Sequence, residues 1–292
     1  MRSGFARLHP LVDLTFFVLV LAFAMFLSHP AVQLAGLVCA ALFALRCTGR
    51  GFGRRMAMLL PLMLLAAVVN PLVSHQGVTV LFRFPSGNAC TLESVLYGIS
   101  AAVRLGTAVL WFMGWNAVMT SDKFVYLFGR ILPSLSLTLS MGLRFVPRLL
   151  RRTREVAQAQ KLARPAERGW LAGIRRPGRV VSIVVTWALE NALDTADSMK
   201  SRGYGLPKRT AFSLFRFTLR DGICLGVLAA LGGIVLAGSL TGGLKWWYYP
   251  APGGAAGAQA ALWTAAFVLL AAFPLIFDAK EAIQWRASRS RT

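Results

Sequence analysis

Glu190, Asp194 and Asp197 are spaced i, i+4 and i+7, which puts three carboxylates on one face of a helix. Such a face could hold a metal ion or relay a proton. The rest of the chain does not support that chemistry. His9, His29 and His75 are isolated from one another and from the acids. Cys39, Cys47, Cys90 and Cys224 form no CxxC pair, and Cys39 and Cys224 sit in apolar stretches that suit small buried hydrophobes. No HExxH and no GxxxxGK[ST] occurs, so any use of ATP must come from a partner. The three acids therefore read as partners for surplus arginines, among them the run Arg148, Arg151, Arg152 and Arg154 just upstream. A membrane enzyme is disfavoured.

A second pair of residues has a recognition chemistry. "KLARP" at Lys161 to Pro165 and "KSRGY" at Lys200 to Tyr204 each place an Arg beside a helix breaker. Lys200 and Arg202 suit the negative end of a helix dipole. Gly203 can adopt the left-handed cap, and Gly205 and Pro207 prevent continuation. Two helix tips, each with an exposed guanidinium, suit insertion into grooves that carry acidic residues.

The elements behind these tips follow from composition. The chain has 292 residues, is 56% hydrophobic and only 15% charged, and carries 32 Lys and Arg against 11 acids, a net charge of +21. Nucleic-acid binders and membrane proteins with basic faces share such a charge balance. Apolar runs long enough to span a bilayer decide for the membrane. They predict six spans, near residues 11–27, 31–45, 56–73, 92–119, 219–240 and 260–277. Placing both termini in the cytoplasm leaves Arg83 and Lys245 outside and Arg104 within the fourth span, with every other Lys and Arg inside. Arg104 is expected to face the protein interior or snorkel, satisfied by backbone carbonyls. "KWWYYP" at Lys245 to Pro250 reads as an aromatic belt at the outer interface.

The chain thus reads as an all-α polytopic membrane protein. Helices one to four occupy residues 1–120, a cytoplasmic domain 121–218, helices five and six 219–278, and a basic tail 279–292. In the cytoplasmic domain, Pro133 opens one helix, which Pro147 should kink or restart and Pro165 should stop. Its basic run suits anionic headgroups. A second helix is expected from about Arg179 to Ser201. The two should cross on small residues such as Ala188, Ala192 and Ala196.

At these residues the sequence resembles the transmembrane T component of energy-coupling-factor (ECF) transporters, the family of CbiQ-type and BioN-type subunits. "ALENALDTADSMKSRGYGLPKRT" at Ala188 to Thr210 is similar to the second coupling-helix signature of that family. "MGLRFVPRL" at Met141 to Leu149 and "AQAQKLAR" at Ala157 to Arg164 resemble the region of the first. "RLHPLVDL" at Arg7 to Leu14, "NPLVSHQGVTVLF" at Asn70 to Phe82 and "TSDKFVYLFGRILP" at Thr120 to Pro133 extend the resemblance over most of the chain, weakening after about Asp221.

The resemblance implies a non-catalytic subunit of an ATP-driven importer in a bacterial or archaeal cell (inner) membrane. Its coupling helices would dock on two ABC ATPase subunits, which use the ATP and Mg; no cofactor is expected on this chain. Its membrane part would hold a substrate-binding S component that captures a vitamin or a transition-metal ion. Partners would be those subunits and the bilayer, with no nucleic acid. The family's Ala-Arg-Gly tips correspond here to Ala163-Arg164-Pro165 and Ser201-Arg202-Gly203, with Pro165 and Ser201 as departures. Glu190, Asp194, Asp197 and Met199 would support the second coupling helix. The competing reading is a secondary transporter with its own site. That needs mid-membrane ionisable residues or repeated halves, and only Arg104 qualifies.

Overall fold

The computed structural model describes residues 4–74, 76–83, 89–129, 133–163, 170–204 and 215–289. Among them the chain forms two compact units, one of residues 1–120 with 215–292, the other of residues 121–214.

The larger unit holds α1 (Pro10–Phe26), α2 (Pro30–Thr48), α3 (Phe52–Val73), α4 (Leu92–Val118), α8 (Leu219–Leu240) and α9 (Ala258–Arg289). Five of these are long and apolar enough to cross a membrane, and α1 is a shorter apolar helix. The protein is an all-α, multi-pass membrane protein, and the six predicted spans match six helices. α9 continues beyond the expected end at Phe277 and takes in most of the expected basic tail.

The helix starts are written locally. α1 and α2 each open on a His-Pro pair, with His9 or His29 as N-cap and Pro at the first position, where its missing amide costs nothing. The His9 imidazole accepts from the Leu11 amide at 3.3 Å. Thr91 caps α4 by accepting from Ser94 N. Thr218 and Asp221 form a reciprocal capping box on α8. Two short antiparallel ribbons, Val80–Arg83 with Ala89–Thr91 and Trp246–Trp247 with Gly253–Gly254, add strand structure that hydropathy did not indicate.

The core is aromatic. Phe16 and Phe17 of α1, Phe43 of α2 and Trp111 of α4 are fully buried, and Phe5 inserts between them from the N-terminal turn. Edge-to-face pairs such as Phe5–Phe16 at 5.3 Å and Phe16–Trp111 at 5.5 Å dominate, the arrangement that ring quadrupoles prefer. The N-terminal segment is also tied by its amides: Asp278 of α9 accepts from Phe5 N at 2.9 Å, and Asp221 of α8 accepts from His9 N at 3.1 Å. α3 is the exception to this packing. It lies along α4, where a Cβ on Gly98 would collide with the Ala67 carbonyl, and it exposes Leu60, Leu62, Leu64, Leu65 and Val68. In a bilayer such a face is solvated by acyl chains.

Two expectations for this unit are corrected. Arg104 does face inward and is half-buried, but its guanidinium reaches a hydroxyl, Ser28 Oγ at 3.5 Å, and its Nε is buried without a partner. The aromatic run at Lys245 to Pro250 is not simply a belt. Tyr248 is buried, donates to the Ser28 carbonyl at 3.3 Å and packs on Tyr97, while Trp247 remains exposed.

The smaller unit holds α5 (Ser121–Gly129), α6 (Pro133–Ala163) and α7 (Trp170–Ser201). α5 is a separate amphipathic helix not distinguished in the sequence. α6 begins at Pro133 as expected, but runs unbroken through Pro147. α7 starts at Trp170, well before the expected Arg179, and runs through Pro177. One proline removes one intrahelical bond, and the long flanking helix on either side outweighs it.

Candidate functional site: the paired helices and their tips

α6 and α7 pack against each other along a narrow seam. On α7 the covered positions are Val180, Val184, Trp187, Ala188 and Asn191, a helical i, i+4, i+7 progression. The seam centres on an aromatic stack and not on small residues. The Phe145 and Trp187 rings lie 6.2 Å apart and only 8° from parallel. Arg152 adds its guanidinium 5.7 Å from the Trp187 ring and pairs with Glu155 at 3.1 Å.

Beyond Asn191 the seam ends. From Ala192 to Ser198 every residue of α7 is exposed, including Leu193 at 69%. The three carboxylates lie on this free segment and its approach. Glu190 and Asp194 make no ion pair among the described residues, and Asp197 pairs only with Lys200 of its own helix, at 3.9 Å. The expected bridges to the arginines of α6 are therefore not formed. Glu155, within α6, takes one of those arginines instead. Nor do the acids converge with other ligands: among the described residues no three His, Cys, Asp or Glu side chains group as a metal site.

The end of α7 is a complete Schellman cap. Gly203 has φ +81°, its amide donates to Lys200 O at 3.0 Å, and the Tyr204 amide donates to Met199 O at 3.0 Å. Arg202 is the C-cap residue itself, with its amide on Ser198 O at 3.3 Å. Ser201 turns its hydroxyl back onto Ser198 O at 2.9 Å. The backbone of the tip is thus satisfied within the helix, and the Arg202 side chain is left exposed, with no hydrogen-bond or ion-pair partner among the described residues. A left-handed residue directly after Arg202 turns the chain away, so the guanidinium stands at the end of the rod.

Of the first tip, Ala163 is the exposed last residue of α6 and follows Leu162, which is 88% exposed. Arg164 and Pro165 lie outside the described residues, as do Gly205 and Pro207. Sequence reasoning did not find the Phe145–Trp187 stack. The only signal was an isolated Trp at a position compatible with the seam.

Together these features define a class: a multi-pass membrane protein with a distinct pair of amphipathic helices, the second of which ends on an exposed, rigidly capped Arg. A family model described as "Cobalt transport protein", CbiQ, matches residues 3–214, which takes in α1 through α7. The chain belongs to this family, the transmembrane T components of ECF transporters. Over 105 residues it is 36% identical to the energy-coupling factor transporter transmembrane protein EcfT of Listeria innocua, covering 35% of this chain and 39% of that protein. The proteins of the same description from Bacillus selenitireducens and Lactobacillus helveticus are 32% and 33% identical over 113 and 106 residues, covering 37% and 35% of this chain and 42% and 38% of theirs. The chain thus spans about two fifths of the length of the curated relatives it matches.

Proposed function

We propose that this chain is the energy-coupling membrane subunit of an ECF-type ABC importer. α6 and α7 are its coupling helices. Their tips, Ala163-Arg164-Pro165 and Ser201-Arg202-Gly203, each dock on one of two ATPase subunits. Those subunits bind ATP and Mg, and this chain catalyses no reaction. The membrane unit holds a substrate-binding S component, and motion of the coupling helices is passed to it so that a vitamin or a transition-metal ion is released inside. The membrane is the bacterial or archaeal cell (inner) membrane, with both termini cytoplasmic.

The observation that carries this reading is the exposed Arg202, which has no ion-pair or hydrogen-bond partner among the described residues, on a Schellman-capped rod in which every residue from Ala192 to Ser198 is exposed. A helix with exposed apolar and acidic positions all round has a surface waiting for another protein. A guanidinium at its tip suits a carboxylate-lined groove, where its planar fork can be met bidentately.

Affinity purification of the tagged chain from its native membranes tests this. Two ATPase subunits and one small membrane protein are expected to co-purify. Substrate accumulation in liposomes by the chain alone, without ATPase subunits, would overturn the proposal in favour of a secondary transporter.

A further inference from the structure

We propose that the smaller unit carries a second, separate recognition site: a cleft on α6 that binds a phosphate-bearing anion. The cleft has a volume of about 530 Å³ and is lined by Arg144, Pro147, Arg148, Arg151, Arg152 and Glu155 of α6 with Trp187 of α7. It goes beyond the docking tips, since Arg151 lies twelve residues before Ala163, about 18 Å along a helix.

Four arginines face one glutamate in this cleft, and the glutamate is already in use. Glu155 pairs with Arg152, and Arg152 is further pinned against the Trp187 ring. Arg144, Arg148 and Arg151 have no ion-pair or hydrogen-bond partner among the described residues. They are spaced i, i+4 and i+7, so three free guanidiniums sit within about 10 Å along one helix face. That is close to the Debye length of about 8 Å at physiological salt, so their mutual repulsion is only partly screened. The floor beneath them is fixed, because Trp187 is stacked on Phe145. Pro147 supplies no amide donor, which leaves recognition to the guanidinium forks.

The number of donors selects the ligand. A carboxylate offers two oxygens, enough for one fork. A phosphate monoester offers three strong acceptor oxygens and close to two negative charges, which three arginines can share. An ordinary basic surface lacks these features. Arg54 and Arg55 at the start of α3 are also exposed, but they are not part of this cleft. The phosphate could belong to the headgroup of an anionic lipid or to a soluble phosphate compound, and both meet the same guanidiniums.

The test uses the full chain, purified alone in a nonionic detergent and studied by titration calorimetry with dioctanoyl phosphatidic acid. Wild type is expected to bind saturably. R148Q/R151Q should bind at least tenfold more weakly, and R54Q/R55Q as tightly as wild type. R148K/R151K keeps the charge and loses the forks, and it is expected to fall between. Competition by inorganic phosphate assigns the site to soluble phosphates; its failure to compete assigns the site to lipid headgroups. The proposal is overturned if wild type binds neither probe, if R148Q/R151Q binds as wild type does, or if R54Q/R55Q weakens binding equally. Because no ATPase subunit is present, a negative result here leaves the coupling role untouched, and failure of ATPase co-purification leaves this site standing.

Discussion

The two units of this protein handle apolar surface in opposite ways. In the membrane unit, α1, α2 and α4 bury a continuous aromatic core, and the apolar residues left outside, as on α3, match a lipid solvent. In the smaller unit, α6 and α7 share only one narrow seam, and Leu150, Leu189 and Leu193 are exposed at 55%, 63% and 69% among charged neighbours. Charged and apolar residues alternate on this surface, so neither acyl chains nor water alone solvates it well. The first unit suits its solvent; the second presents the surface proposed to dock on a partner.

The largest effect should come from breaking the partner contact without touching either fold. Arg202→Glu reverses the charge of an exposed tip and should reduce co-purifying ATPase subunits at least tenfold, with no change in thermal midpoint of the chain. Retention of both ATPase subunits by a variant reversed at Arg202 and Arg164 together would sink the docking assignment. Next in size is Gly98→Leu in the membrane unit. The new side chain meets the Ala67 backbone, which cannot swing aside, so a loss of about 3 kcal/mol is expected from overpacking. Thermal unfolding in detergent reads it, and unchanged exchange protection in α6 and α7 would confirm that the two units are separable.

Trp187→Ala should act in the reverse sense. It removes the stack on Phe145 and should cost about 3 kcal/mol, read as faster hydrogen exchange along α6 and α7 while the membrane helices stay protected. Equal loosening of both units would contradict the division. Gly203→Ala is smaller, about 1 kcal/mol, because a Cβ is disfavoured at φ +81°. The expected signature is fraying confined to Met199–Tyr204. Smallest of all is Arg104→Met. Its Nε is buried unpaired, so an apolar replacement of similar length should leave the thermal midpoint level or slightly raised. A marked drop would show that the Ser28 contact matters more than its 3.5 Å length implies.

Much of the larger unit was legible because hydropathy and charge asymmetry act residue by residue. The ends of α8 were predicted as found, since the apolar run marks its extent; the Thr218–Asp221 capping box is a further local start signal. The C-terminal stop of α7 was equally readable: Arg202 and Gly203 encode the cap in adjacent residues. The start of α6 at Pro133 was readable too, but its passage through Pro147 and the start of α7 were less so. Prolines at 147 and 177 look like breaks from within a short window, whereas helix on both sides carries the chain through them.

By itself the sequence determined the number of apolar helices and the stop of α7 at Gly203, since each rests on composition or on neighbours a few residues apart. Only the tertiary structure decided which faces meet. It set Trp187 against Phe145, left Glu190 and Asp194 without the arginines expected to pair with them, gathered Arg144, Arg148 and Arg151 around a cleft, and packed Tyr248 inward. These depend on the rotation of one helix against another. A helical repeat shows which residues share a face, but not which face finds a partner.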